Sequence, residues 1–183
     1  MSASPAIEVY VGLGGNVGDV RARFAAAVDA MRAWPEVSGA RMSPVYESAP
    51  VGPVADQPRF CNAVVALTVD ADAGPRALWQ RLRALETELG RVRREPQGPR
   101  EIDLDLLVFG DAVVDEPELA IPHPRMWSRA FVLRPLADLA GPDRILRGRR
   151  LADWLARVGD QDVAPATPGV PGAAPGAGYS RGD

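Results

Sequence analysis

The stretch from Gly98 to Gly110, Gly-Pro-Arg-Glu-Ile-Asp-Leu-Asp-Leu-Leu-Val-Phe-Gly, constrains this chain more than any other. Its start alternates strictly, with Ile102, Leu104 and Leu106 on one side and Asp103 and Asp105 on the other. A period of two is the pattern of a half-buried strand. It sets two carboxylates within ~7 Å of each other on one strand face. Like charges at that range repel, so the pair suits a divalent cation or a shared proton. A solvated edge strand carrying two acids fits the same residues. Arg100 stands just before the strand, and Arg91, Arg93 and Arg94 lie a little further upstream. Guanidinium groups beside paired carboxylates suit a phosphate clamp next to a metal site. A solvated charged loop is the plainer alternative.

The remaining chemistry is narrowed by what the chain lacks. All 21 basic residues are arginine, so lysine is absent. A Walker A loop, a Schiff base and a lysine base are therefore excluded. The single cysteine, Cys61, sits in an apolar run and excludes a disulfide framework and a cysteine-based zinc site. The single histidine, His123, excludes a multi-histidine metal centre. A net charge of -3 does not suggest a nucleic-acid-binding surface. No apolar run reaches membrane-spanning length, and the N-terminus lacks a secretory pattern. A cytoplasmic protein without nucleic-acid or membrane partners is expected.

Along the chain, Ile7 to Leu13 is rich in β-formers and runs into the glycine-rich turn Gly14-Gly15-Asn16. That turn admits a phosphate reading or a tight strand-to-helix turn with Asp19 at the helix start. Arg21 to Trp34 carries an apolar stripe at Phe24, Ala27, Val28 and Met31 and predicts a helix. Val37 to Ser48 leans to β structure. A proline-rich loop follows, then a buried-type strand from Phe60 to Val69 with one polar oddity, Asn62. Pro75 to Leu89 predicts the clearest helix, with proline at its start and Gly90 just past its end. After the Asp-x-Asp strand, Ala112 to Val114 reads as a short returning strand, and His123 between two prolines as a loop residue. A helix from Arg129 to Leu139, broken or kinked at Pro135, and a short one from Leu151 to Val158 complete the ordered part. Residues 1–158 are expected to form one domain. The Pro/Gly/Ala-rich stretch 159–183 is expected to be a disordered tail. The order of elements is the split βαβ pattern of a ferredoxin-like βαββαβ sandwich. This is an α/β (α+β) fold with a mainly antiparallel sheet and extra C-terminal elements.

Several motifs occur together and in order. They are Leu13-Gly-Gly-Asn-Val-Gly-Asp19, Ser43-Pro-Val-Tyr-Glu-Ser48, Val51-Gly-Pro53 and Asp56-Gln-Pro58 with Phe60-Cys-Asn62. Leu89-Gly-Arg-Val-Arg93, Gly98-Pro-Arg100 with Ile102-Asp-Leu-Asp-Leu106, and Ile121-Pro-His-Pro-Arg-Met126 with Arg129-Ala-Phe131 follow. Over roughly Ile7 to Leu139 the chain resembles the 6-hydroxymethyl-7,8-dihydropterin pyrophosphokinases of folate biosynthesis. The resemblance implies transfer of pyrophosphate from ATP to the pterin hydroxymethyl group, with release of AMP. It implies two Mg2+ ions held by Asp103 and Asp105, and catalytic roles for Arg91 and Arg100. It places Glu86, Arg93, Leu106, His123 and Arg129 at ATP. It places Ser48, Ala49, Val51, Phe60, Asn62 and Phe131 at the pterin, with the two phenylalanine rings sandwiching it. A monomer acting on small molecules is implied. Pro96-Gln97 departs from the Arg-Trp that many members carry, and Glu118 and Ala120 stand where some place a basic and a hydroxyl residue. A two-metal nucleotidyltransferase, and a ferredoxin-like domain that senses a small molecule, are the alternatives.

Overall fold

The computed structural model describes residues 5–52, 54, 56–92 and 98–167. In chain order, β1 (Ala6–Gly15) leads to α1 (Val20–Arg32), then β2 (Val37–Met42), β3 (Tyr46–Ser48) and β4 (Phe60–Asp70). The second half holds α2 (Pro75–Glu88), β5 (Asp103–Phe109), a small hairpin of β6 (Val114–Asp115) and β7 (Ala120–Ile121), and α3 (Ala130–Ala140). A second hairpin of β8 (Ile145–Leu146) and β9 (Arg149–Arg150), α4 (Leu151–Ala156) and β10 (Val163–Pro165) follow. The main sheet runs β10-β3-β4-β1-β5, with β2 also paired to β4, and its pairings are antiparallel. This is the expected ferredoxin-like sandwich.

The β-leaning stretch after Glu36 is two strands, both on the same edge of β4. Pro44 cannot donate to a ladder. Ser43 covers the break: its N–H donates to Val64 O at 2.9 Å and its hydroxyl accepts Val64 N–H at 3.0 Å.

One sheet face packs Val9, Val11, Val65 and Leu67 against Phe24 and Met31 of α1 and Leu78 and Leu82 of α2. The other packs Tyr10, Val64, Leu107 and Val108 against Leu133 and Leu136 of α3, with Trp127 and Leu151. The alternation that begins at Ile102 stops at a bulge. Val11 pairs with Leu106 but Tyr10 pairs with Val108, so Leu107 is the extra residue. Leu107 and Val108 therefore both reach the α3 side.

Three expectations need correction. The helix after Arg129 is not broken, because α3 runs through a buried Pro135 and its packing on the sheet outweighs one lost hydrogen bond. The short strand after Gly110 pairs with β7 and not back onto β5. The segment from Gly159 is not a tail throughout: Val163–Pro165 adds a strand beside Tyr46–Ser48. Residues 168–183 lie outside the described residues.

Candidate active site

Gly14 of β1 is paired with Asn62 of β4 on one side and Asp103 of β5 on the other. Side chains at paired positions point to one face of a sheet. A Cβ on Gly14 would lie 3.8 Å from Asn62 Oδ1 and 4.0 Å from Asp103 Cβ. The missing side chain leaves a bare floor between an amide and a carboxylate.

β5 is an edge strand, so the outward N–H and C=O of Leu104 have no strand partner. Helix α2 supplies both. Buried Glu86 accepts Leu104 N–H at 2.6 Å, and Arg83 donates to Leu104 O. The backbone between the two aspartates is thereby fixed. Glu86 Oε2 also lies 2.5 Å from Arg91 Nη1 and 3.1 Å from Arg83 Nη1. Arg91 Nη1 is in turn 2.8 Å from Asp103 Oδ1, and Arg100 Nε is 3.3 Å from Asp103 Oδ2. Asp105 is less engaged, with Arg83 Nη2 at 3.7 Å.

Electrostatics follow from this crowding. Burial pushes the Glu86 carboxyl up to about 7, with Asp103 adding and Arg83, the Leu104 N–H and Arg91 opposing. Burial, then the charge of Asp103, raises Asp105, against the pull of His123, Arg83 and Arg129. Burial lowers His123, and Arg129 and Arg125 push the same way against Asp105. A bound cation would relieve the Asp103–Asp105 repulsion.

His123 owes its place to the bulge: its N–H donates to Leu107 O at 2.8 Å. Its Nδ1 accepts Arg125 N–H at 3.2 Å, which leaves Nε2 to carry the proton of the neutral ring. A cavity of about 330 Å3 opens here; its lining includes Trp79, Leu106 and His123, the acids Asp105, Glu116 and Glu118, and the arginines Arg83 and Arg125. A larger one of about 420 Å3 lies at Val108, Val113 and Leu146, with Asp111, Asp115 and Arg147 as its charged residues and neither Asp103 nor Asp105 in its lining.

On the Asn62 side, its Nδ2 donates to Ser48 Oγ at 2.9 Å and to Phe60 O at 3.3 Å. Phe60 is buried at the start of β4, with the Arg100 guanidinium 4.6 Å from its ring centre. Phe131, half-buried in the first turn of α3, has Arg129 at 5.5 Å. Ala49 donates its N–H to Asp162 O at 3.3 Å, and Val51 is exposed.

The glycine-rich turn does not present its amides to a phosphate. Asn16 and Val17 N–H donate to Arg100 O at 2.9 and 3.2 Å, and Asn16 Oδ1 accepts Arg100 N–H at 2.9 Å. Asn16 Nδ2 donates to Gln57 Oε1 and Pro58 O. Gly15 is required because a Cβ there would meet Glu101 O at 2.7 Å. Asn16 thus ties Arg100 to the loop before Phe60. Asp19 caps α1 by accepting Ala22 N–H at 3.0 Å.

Of the residues expected at the site, the structure brings Asp103, Arg91, Arg100 and Glu86 into one network, with Asp105 joined to it through Arg83. Leu106 and His123 line the adjoining cavity. Glu86 lies beneath the carboxylates and does not line that cavity. Arg93 and Pro96-Gln97 lie outside the described residues. Arg83 and Asn16 were not singled out by sequence. Arg83 reads as a surface helix residue, although its place three before Glu86 is the spacing of a helical ion pair.

A ferredoxin-like sheet with paired strand carboxylates, contacted by arginines beside an open cavity of about 330 Å3, is the build of a small phosphate-transferring enzyme. Residues 10–141 match the model of the family described as 7,8-dihydro-6-hydroxymethylpterin-pyrophosphokinase, and the chain belongs to that family. A 2-amino-4-hydroxy-6-hydroxymethyldihydropteridine pyrophosphokinase of Pseudomonas aeruginosa is 49% identical over 148 residues, covering 81% of this chain and 90% of that one. One of Methylorubrum extorquens is 40% identical over 149 residues, covering 81% and 92%. A crystal structure of Plasmodium falciparum HPPK-DHPS A437G with SDX-DHP aligns with a TM-score of 0.65 at 12% identity, over 84% of this chain and 46% of that one. That likeness supports the fold; the chain spans less than half of that longer protein.

Proposed function

We infer that the protein transfers pyrophosphate from ATP to the hydroxymethyl group of 6-hydroxymethyl-7,8-dihydropterin, releasing AMP, as a step of folate biosynthesis. Family membership carries this reading, and the bare floor from Asn62 across Gly14 to Asp103 supplies a place for it. The pterin hydroxyl oxygen attacks the β-phosphorus, the bond from that phosphorus to the α–β bridging oxygen breaks, and AMP leaves. The hydroxyl proton is lost to solvent.

Asp103 and Asp105 are the residues that would hold magnesium, two ions in this proposal. The donor set fits. Magnesium takes one or two carboxylates and completes its shell with water and phosphate. Among the described residues no three His, Cys, Asp or Glu side chains come together as a metal-binding group, so most of each ion's shell would have to come from water and phosphate. Bound there, the ions would supply positive charge that offsets the negative charge of the phosphates. Arg91 and Arg100, now on Asp103, are placed to turn to charge developing on the phosphates. Arg129, His123 and Arg93 are assigned to ATP phosphates, and Leu106 with Glu86 beneath it to the nucleotide side. Phe60 and Phe131 are assigned to stack on the pterin, Asn62 to read its polar edge, and the Ser48, Ala49 and Val51 loop to close over it. A monomer acting on small molecules is part of the same reading. A cytoplasmic site of action belongs to the same reading.

Phosphorus NMR of a mixture of protein, ATP, magnesium and hydroxymethyl dihydropterin tests the reading. AMP and a pterin pyrophosphate in equal amounts are expected. Release of free pyrophosphate would favour a nucleotidyltransferase, and ADP an ordinary kinase.

A further inference from the structure

Beyond the family match, the described part of the C-terminal segment includes a turn and β10, and two adjacent residues there touch both walls of the inferred pterin site. Helix α3 has no side-chain cap of its own. Gln161 provides one from a distance: its Oε1 accepts Ala130 N–H at 2.9 Å and its Nε2 donates to Ser128 O at 2.9 Å. Ala130 stands between Arg129 and Phe131, so this amide fixes the turn that presents both.

Asp162 reaches the opposite wall. Its carbonyl accepts Ala49 N–H at 3.3 Å, at the start of the loop after Ser48. Its carboxylate takes Arg59 in a two-pronged pair, at 2.7 and 3.1 Å. Arg59 directly precedes Phe60, so Asp162 grips both ends of the loop between β3 and β4. Pairing of Val163 with Ser48 in the β10–β3 ladder holds this dipeptide in register.

We propose that Gln161 and Asp162 are positioning residues for the pterin site, bracing its α3 wall and its loop wall at a fixed separation. The proposal rests on the pterin site inferred above. The ion pair is exposed and adds little to stability by itself. Its effect is on where Phe60 and Ala49 stand.

The test uses the full chain with magnesium and a non-transferable ATP analogue, and reads pterin binding from the pterin's own fluorescence. Asp162→Ala is expected to weaken pterin binding about fivefold, the size of one lost hydrogen-bonded contact, and to leave binding of the analogue unchanged. Gln161→Ala should weaken both, because Arg129 and Phe131 share the capped turn. Arg59→Asp combined with Asp162→Arg should recover part of the pterin affinity. Variants that bind pterin as the wild type does, whether or not they melt earlier, would reduce the brace to a purely structural feature. A wild type that binds no pterin would overturn the reading of the site, and the brace with it.

Discussion

The Arg91 guanidinium stands 2.8 Å from the Asp103 carboxylate. The arginine assigned to phosphate charge thus pairs with the acid assigned to the metal. Arg100 shares that acid from the other side. These contacts balance the charge of Asp103 and hold both arginines beside it. Arg100→Ala should therefore lower kcat by ~10²-fold, as loss of one charge-stabilising donor does, while the protein still binds pterin. Steady-state kinetics at saturating substrate check this, and an unchanged kcat would remove Arg100 from the catalytic set.

Glu86 yields a pH prediction. Its ordinary value is 4.5 and folding raises it to about 7, mainly through burial. The folded state holds this proton more tightly than the unfolded chain does. The stabilisation is full below about pH 4.5 and is lost as pH rises through about 7. Relative to Glu86→Gln, the wild type should lose stability across that window, by at most about 3 kcal/mol. Denaturant unfolding of both proteins from pH 4 to 8 reads the difference. A constant difference would show that Glu86 is ionised throughout.

The bare floor at Gly14 predicts a substitution that separates folding from function. A Cβ there meets only ordinary contacts, so Gly14→Ala should fold with a melting temperature near the wild type. The added methyl stands between Asn62 and Asp103. It should raise KM for the pterin about tenfold, the scale of a modest steric overlap. An unchanged KM would place the substrate elsewhere.

Removing residues 159–183 should cost stability, since it takes away β10 and the Gln161 and Asp162 contacts. A fall of about 2–4 °C in the unfolding midpoint is expected, corresponding to about 1 kcal/mol. A midpoint equal to that of the full chain would show that this segment does not stabilise the domain.

Much of this architecture is legible in the sequence because it is written in local periods. The stripe Phe24, Ala27, Val28, Met31 and the alternation from Ile102 to Leu106 each appear in the fold as read. The bulge at Leu107 is silent, since Leu-Leu-Val-Phe is apolar whichever side each residue faces. β10 is silent for a different reason: its pairing is made by backbone groups with a strand far away in sequence, and Val163 alone carries no pattern. Asn16 and Arg83 sit in segments whose composition suggests a turn and a solvated helix face. Their partners, Arg100 and the Leu104 peptide, become visible only once the sheet brings distant strands together.

Both magnesium ions of the proposed site rest on the two strand carboxylates, Asp103 and Asp105. Turnover by Asp105→Asn, which keeps the shape of the side chain and removes its charge, tests them most directly. AMP formation should fall by ~10³-fold or more, as when a major electrostatic element of a transfer site is lost, with the melting temperature unchanged. Turnover within about tenfold of the wild type, a difference of only ~1.4 kcal/mol in the barrier, would contradict the assignment.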